Sequence, residues 1–365
     1  MARILVDLLS MTGTKGGMEI YTRELYEQLG RISDHELVGF ASTEAVARGL
    51  EWFPGRVVAS GISGENRFAW ARGELRSVNR AAREVGADLI HSPATLGPPR
   101  RDVPVVVTMH DMLYWSHPQY MSTPLYTAPV KWMEKVVSRG ADRVVTISEV
   151  SAREIERYLC VPPERITAIH LAGRPLPGVD RSRADPARPL VLGTGNRRPH
   201  KNWVSVVRAL ALLDPQERPR LALTGSSDDD PLRPVVDELG LGDWVDLHGW
   251  IEESDLARLY SEATVLVTPS FCEGFSLTPL EGMLSGIPVL ISDIDVHREI
   301  AGDAAVYVDP SDLASIAEGL RRTTQDPDLL ATLTRRGQEQ AARYSWEGTA
   351  AATLRVFDEV LATNR

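Results

Sequence analysis

The chain has little cysteine. Cys160 and Cys272 are its two, far apart and without metal-ligand spacing. A disulfide framework and a thiolate zinc site are therefore excluded, and a reducing cytoplasm is the expected setting. It has little lysine: positions 15, 131, 135 and 201 carry it, and every other basic residue is arginine. It has no basic excess, since 40 Lys+Arg stand against 50 Asp+Glu for a net charge of −10, so nucleic acid is not an expected partner. No apolar run approaches the 18 or so residues of a membrane-spanning helix. The opening MARILVDLLS has an arginine and then an aspartate within its apolar run and reads as a strand, not a signal peptide. His91, His170, His248 and His297 are scattered, so no metal site is expected.

What is present is an alternation. The 365 residues exceed one ordinary core and imply two domains. Short apolar runs at 3–7, 36–41, 88–92, 103–110, 143–148 and 165–170 alternate with helical patterns. In one of these, Met18, Tyr21, Leu25 and Leu29 form a single face. Residues 173–189 interrupt the pattern with prolines 175, 177, 186 and 189 and mixed charge. Strand runs resume at 190–195, 220–225, 244–249, 263–270, 287–292 and 304–309. Most runs are apolar on both faces, as parallel strands covered by helices must be. The expected fold is α/β: a Rossmann-like doubly wound domain over 1–175, a linker over 176–188 and a second such domain over 189–344. The final helix, 345–365, presents Trp346, Leu354, Phe357 and Leu361. Periodicity leaves open whether it packs on its own domain or crosses back to the first.

The stretch FCEGFSLTPLEGMLSGIPV (271–289) carries two glutamates eight apart, Glu273 and Glu281. A strand precedes it. Thr278 suits a helix N-cap, Pro279 the first helical position and Gly286 the position after the helix. Gly274, Phe275, Ser276 and Leu277 then fall in the strand-to-helix turn, where free N–H groups and the helix dipole favour an anion such as phosphate. With a phosphate between them, the glutamates flank one ligand and accept from hydroxyls on either side of it. The plain alternative is an exposed helix-start carboxylate and a surface glutamate.

Further candidates each have a plain alternative. Lys201, the sole lysine of the second half, follows a strand and glycine turn in GTGNRRPHKN, where its ammonium would stabilise a leaving diphosphate or be merely solvated. His110 and Asp111 end the strand VPVVVTMH at its carboxyl edge, as site residues or as a cap and a loop start. Gly16 and Gly17 follow the first strand and allow close backbone approach, though glycine at such turns is common without a ligand. The segment 113–132, with Tyr114, is aromatic-rich in a chain with 6% aromatics and could line an acceptor pocket or a core loop.

EGFSLTPLE resembles the E-x7-E motif of retaining glycosyltransferases of family four, which have the GT-B fold of two Rossmann-like domains facing each other across a cleft. GNRRPHKN (195–202) resembles that family's diphosphate loop. Residues 247–270 resemble its nucleobase region, and 292–310 the segment after the motif; Gly16–Gly17, TMHD (108–111) and 138–155 match more loosely. The resemblance implies that Glu281 binds the donor ribose and Glu273 faces the donor hexose. The amides of Ser276 and Leu277, with Gly274, Phe275, Gly195 and Lys201, hold the diphosphate, while Trp250 and Ile251 lie at the base. Gly16 and Gly17 line donor or acceptor, His110 approaches the reacting sugar, and Asp111 and Tyr114 face the acceptor. Many members carry an arginine six residues before the lysine. Here that position is Gly195, and Arg197 or Arg198 would supply the second cation, Arg197 being nearer the turn.

The implied activity is transfer of a hexose with retention, from GDP-hexose first and UDP-hexose second, to a small soluble acceptor or glycoside. The nucleotide sugar is a co-substrate, and neither a cofactor nor a metal is implied. Alternatives are a lipid-linked acceptor at a membrane surface, an epimerase or phosphorylase on the same fold, and a non-catalytic nucleotide-sugar binder.

Overall fold

A computed structural model describes residues 1–13, 16–99, 102–121, 124–226 and 229–364. The chain forms two compact units, Met1–Leu171 together with Ser345–Arg365, and Ala172–Tyr344.

In the first unit seven strands are described: β1 (Arg3–Leu8), β2 (Glu36–Ala41), β3 (Arg56–Ala59), β4 (Leu89–Ser92), β5 (Val105–Met109), β6 (Arg143–Thr146) and β7 (Ile166–Ala168). They form one parallel sheet in the order β3-β2-β1-β4-β5-β6-β7. In the second unit are β8 (Leu190–Thr194), β9 (Arg220–Ser226), β10 (Val245–Gly249), β11 (Val265–Thr268), β12 (Val289–Ser292) and β13 (Ala305–Val308), in the parallel order β10-β9-β8-β11-β12-β13. In both sheets the order in which strands are added reverses once, between β1 and β4 and between β8 and β11. Ligands of doubly wound folds bind outside the carboxyl ends of strands at such a switch point.

The central strands are buried on both faces because helices cover both. Short apolar runs made twelve of the strands legible. The thirteenth, β3, is an edge strand with three of its four residues exposed, so its RVVA carries no buried-strand pattern. Residues 176–188 are not a free linker: they belong to the second unit. Arg181 donates to the carbonyls of Tyr260 and Ser261 at 2.6 and 3.2 Å, and the Asp180 amide donates to Ser261 Oγ at 2.9 Å. Prolines end secondary structure without preventing such docking.

The final helix, Trp346–Thr363, belongs to the first unit. Trp346, Ala350, Thr353 and Phe357 are buried along it, while Leu354 is only half-buried. Thr353 takes that inner position because its hydroxyl donates back to the Thr349 carbonyl, at 2.9 Å. Thr349 in turn donates to the His170 carbonyl at 2.7 Å, and the Phe357 ring lies 5.0 Å from that of His91.

Candidate functional site

In the second unit the switch point brings two loops together. β8 leads into the Gly195–Asn202 loop and β11 into the Pro269–Ser276 loop. The Phe271 amide donates to the His200 carbonyl at 2.8 Å, and the Asn202 side chain donates to Pro269 O at 3.0 Å and Pro310 O at 2.8 Å. This lacing sets Lys201 Nζ 2.7 Å from Glu273 Oε1, which also accepts from Ser270 Oγ at 2.6 Å. Burial by itself would raise the Glu273 carboxyl, but Lys201 and Ser270 outweigh it and hold the group below its ordinary range. The pair is therefore ionic, with its ammonium at the carboxyl end of the sheet.

The helix after the motif runs Leu277–Leu284, two residues earlier than the Thr278 cap suggested. Ser276 occupies the N-cap with φ 79° and makes no side-chain cap bond. A positive φ there turns the chain sharply into the helix, which leaves backbone N–H groups at the helix start as anion donors. The end is as expected: the Gly286 amide donates to Met283 O at 3.1 Å and the Ile287 amide to Gly282 O at 2.9 Å, a Schellman closure. Phe275 is buried edge-on to Tyr344, 6.2 Å between centroids, so this residue offers the turn its backbone alone. Glu281 is half-buried one turn into the helix; burial pushes its carboxyl up to about 7, against a smaller pull from Arg174.

Gly195 has φ 128°, a conformation that an L side chain rarely adopts, with open space where a Cβ would be. An arginine holding that backbone would be strained. Arg197 does not replace it. Its guanidinium is buried and fully engaged: Nε and Nη2 bind the Asp230 carboxylate, at 3.0 and 2.9 Å, and Nη1 and Nη2 reach the carbonyls of Gly195, Thr224 and Leu223. Arg197 builds the loop, and Arg198 is its exposed guanidinium. Trp250 is 78% exposed directly after β10, with Ile251 half-buried beside it.

His297, read from sequence as a scattered histidine, is buried and interacts electrostatically with Glu273 and Lys201. Its Nδ1 donates to the Ser292 carbonyl at 2.9 Å, which leaves Nε2 as an acceptor with no partner among the described residues. Burial lowers its pKa, so the ring is neutral. No spacing rule could have selected it, because its relation to Glu273 arises from the adjacency of β11 and β12.

In the first unit His110 follows β5 and is buried. Its Nε2 donates to the Pro93 carbonyl at 2.7 Å, and burial depresses its pKa to about 4, so the imidazole is neutral with Nδ1 unprotonated. Tyr21 meets it edge-on, 5.0 Å between centroids. Behind them runs a buried chain: Tyr26 Oη to His91 Nδ1 at 2.6 Å, His91 Nε2 to Thr108 Oγ1 at 2.9 Å, and Thr108 Oγ1 to Tyr21 Oη at 3.0 Å. Gly16 (φ 59°) and Gly17 are exposed where the first helix begins, with open space around both; Thr14 and Lys15 of that loop lie outside the described residues. Glu19 closes the loop by accepting from the amides of Thr12 and Gly13, both at 2.7 Å. Asp111 accepts from the Leu113 amide at 3.0 Å and so starts the short helix Leu113–Ser116, which carries half-buried Tyr114. In the aromatic segment, where 122 and 123 lie outside the described residues, Trp115 Nε1 donates to buried Glu134 at 2.7 Å. Burial pushes that carboxyl up to about 8.

Two doubly wound parallel units with these loops at their switch points match the GT-B architecture. The description "Glycosyltransferase Family 4" matches residues 15–172, and "Glycosyl transferases group 1" matches 180–340. The O-antigen chain mannosyltransferase B of Escherichia coli is 31% identical over 276 residues, 71% of each chain. The D-inositol 3-phosphate glycosyltransferase of Thermobispora bispora is 29% identical over 96% of this chain and 91% of its own. Among solved structures, a sucrose-phosphate synthase from Thermosynechococcus elongatus superposes with TM-score 0.80 at 21% identity, covering 100% of both chains. HepE of Anabaena, in complex with UDP and glucose, does so with TM-score 0.75 at 18% identity, over 98% of this chain and 100% of that one. The chain belongs to family four of the glycosyltransferases.

Proposed function

We propose that the protein is a retaining hexosyltransferase that takes a hexose from a nucleoside diphosphate, GDP-hexose before UDP-hexose, to a hydroxyl of a small acceptor or glycoside. One observation carries this: the Lys201–Glu273 pair beside the helix start at Ser276, with Glu281 one turn further on. An ammonium and the backbone amides of Ser276 and Leu277 at a helix start suit a diphosphate. Carboxylates on either side suit the hydroxyls of ribose and hexose, and exposed Trp250 suits a base.

Catalysis then rests on positioning and on stabilising the leaving group. The bond from C1 to the diphosphate breaks and the acceptor oxygen bonds C1 on the same face. The acceptor's proton passes to the leaving diphosphate oxygen. Because Glu273 is committed to Lys201 and Ser270, it is poorly placed to serve as a free nucleophile, which favours this front-face course. The mannosyltransferase in the name of the Escherichia coli relative favours a mannosyl donor, and the inositol phosphate in the name of the Thermobispora relative favours a small polyol acceptor.

The test is thermal unfolding with UDP, GDP, dTDP, ADP and CMP at millimolar concentration. A ligand at about 100 times its dissociation constant adds roughly 2.7 kcal/mol, a shift of a few degrees at this size. The expected result is a midpoint raised by GDP above the others. The anomeric configuration of the product, read by NMR from the matching sugar donor, should equal that of the donor. No shift from any of the five would overturn the donor site, and an inverted product would overturn the mechanism.

A further inference from the structure

The site above occupies the carboxyl ends of the second unit's strands. At their amino ends lies a separate cavity of about 900 Å³. It is bounded by the proline-bearing segment 181–189 and by residues at or just before the starts of β8, β9, β11 and β12. Four guanidiniums line it, those of Arg181, Arg188, Arg218 and Arg220, against two carboxylates, Glu217 and Asp243. Asp246, paired with Arg220, brings the local balance to one positive charge, in a chain of net charge −10.

Only Arg220 of the four has an acidic partner among the described residues, Asp246 at 2.5 Å. Arg181 gives its hydrogen bonds to two carbonyls. Arg218 gives its own to the carbonyls of Leu210, Ala211 and Leu213, at 3.1, 3.3 and 2.9 Å, while lying 5.6 Å from the Trp244 ring centroid. Carbonyl oxygens fix these two half-buried groups in place without cancelling their charge. Arg188 is exposed and makes no side-chain bond among the described residues. Guanidiniums held in fixed orientation, partly desolvated and without carboxylates, match the oxygens of phosphate and carboxylate groups. The volume lies within the range of small-molecule sites.

We propose that this cavity is a second binding site, for a small polyanion bearing phosphate or carboxylate groups, separate from the donor site. The anion supplies the countercharge that Arg181, Arg188 and Arg218 lack.

The experiment is isothermal titration of the full chain with pyrophosphate and, separately, with citrate. It is run on the wild type, on Arg188→Glu and on Lys201→Ala. Arg188→Glu should leave the unfolding midpoint unchanged and weaken the anion at least about tenfold, the loss of one charge-assisted contact. Lys201→Ala should keep that binding event, since it perturbs the opposite end of the strands. Binding of both anions with this dependence identifies charge as what the cavity reads, and binding of pyrophosphate alone identifies phosphate. Absence of binding, or binding that survives Arg188→Glu unchanged, overturns the proposal. Pyrophosphate binding lost only in Lys201→Ala does so too, while leaving the donor site standing.

Discussion

The two units share a topology and differ in what they bury at its switch point. The first buries polar groups in neutral form. Tyr26, His91, Thr108 and Tyr21 are joined by hydrogen bonds, and burial drives the His91 pKa down to about 3. Even its carboxyl pair, Asp7 and Glu74, is pushed by burial towards protonation. The second unit buries charge in compensated form, Arg197 with Asp230 and Lys201 with Glu273. Buried charges persist only where a partner offsets desolvation. A neutral chain can orient His110 without attracting ions, whereas an anionic ligand calls for a fixed cation. One fold thus serves two electrostatic tasks through the residues at its strand ends.

The contrast can be broken at four places. Asp230→Ala leaves the Arg197 guanidinium buried without its partner and should cost about 3–5 kcal/mol in a denaturant titration. If stability hardly changed, the loop would not be ion-pair-built. Lys201→Ala should cut turnover about 10²–10³-fold, the size expected for a group acting on developing negative charge. Steady-state kinetics with the donor chosen by the thermal panel check this, and near-normal turnover would remove Lys201 from the mechanism. In the first unit Tyr26→Phe should cost about 1–3 kcal/mol by leaving His91 Nδ1 unsatisfied, with no change in the salt dependence of stability. The fourth concerns Glu281 and is read in the pH dependence of stability. Its folded pKa of about 7 exceeds the ordinary 4.5, so the folded state binds the extra proton between those values. Stability should therefore fall as pH rises through that window. Glu281→Gln should flatten that part of the profile in unfolding midpoints measured from pH 4 to 8.

Much of this was legible. Strands buried on both faces announce themselves as short apolar runs, and β3 escaped because an exposed edge strand needs none. The end of the motif helix followed from Gly286 and Pro288. Its start did not, because Ser276 adopts a positive φ that the plain cap pattern at Thr278–Pro279 conceals. Arg197 shows the limit most clearly. Its nearness to the turn favoured it as a ligand cation, yet Asp230, 33 residues on, claims it. Glu134 and His297 gave no signal, since what changes their chemistry is burial among residues remote in sequence.

Sequence by itself therefore determined the two doubly wound units, the loops at their strand ends and the family. Those depend on periodicity, turn chemistry and contiguous motifs, all local properties of the chain. Tertiary structure alone decided which charges are paired within the protein and which are left without a carboxylate partner. Compensation of charge depends on distances across the switch point and on exclusion of water, and neither is encoded in the neighbourhood of any one residue.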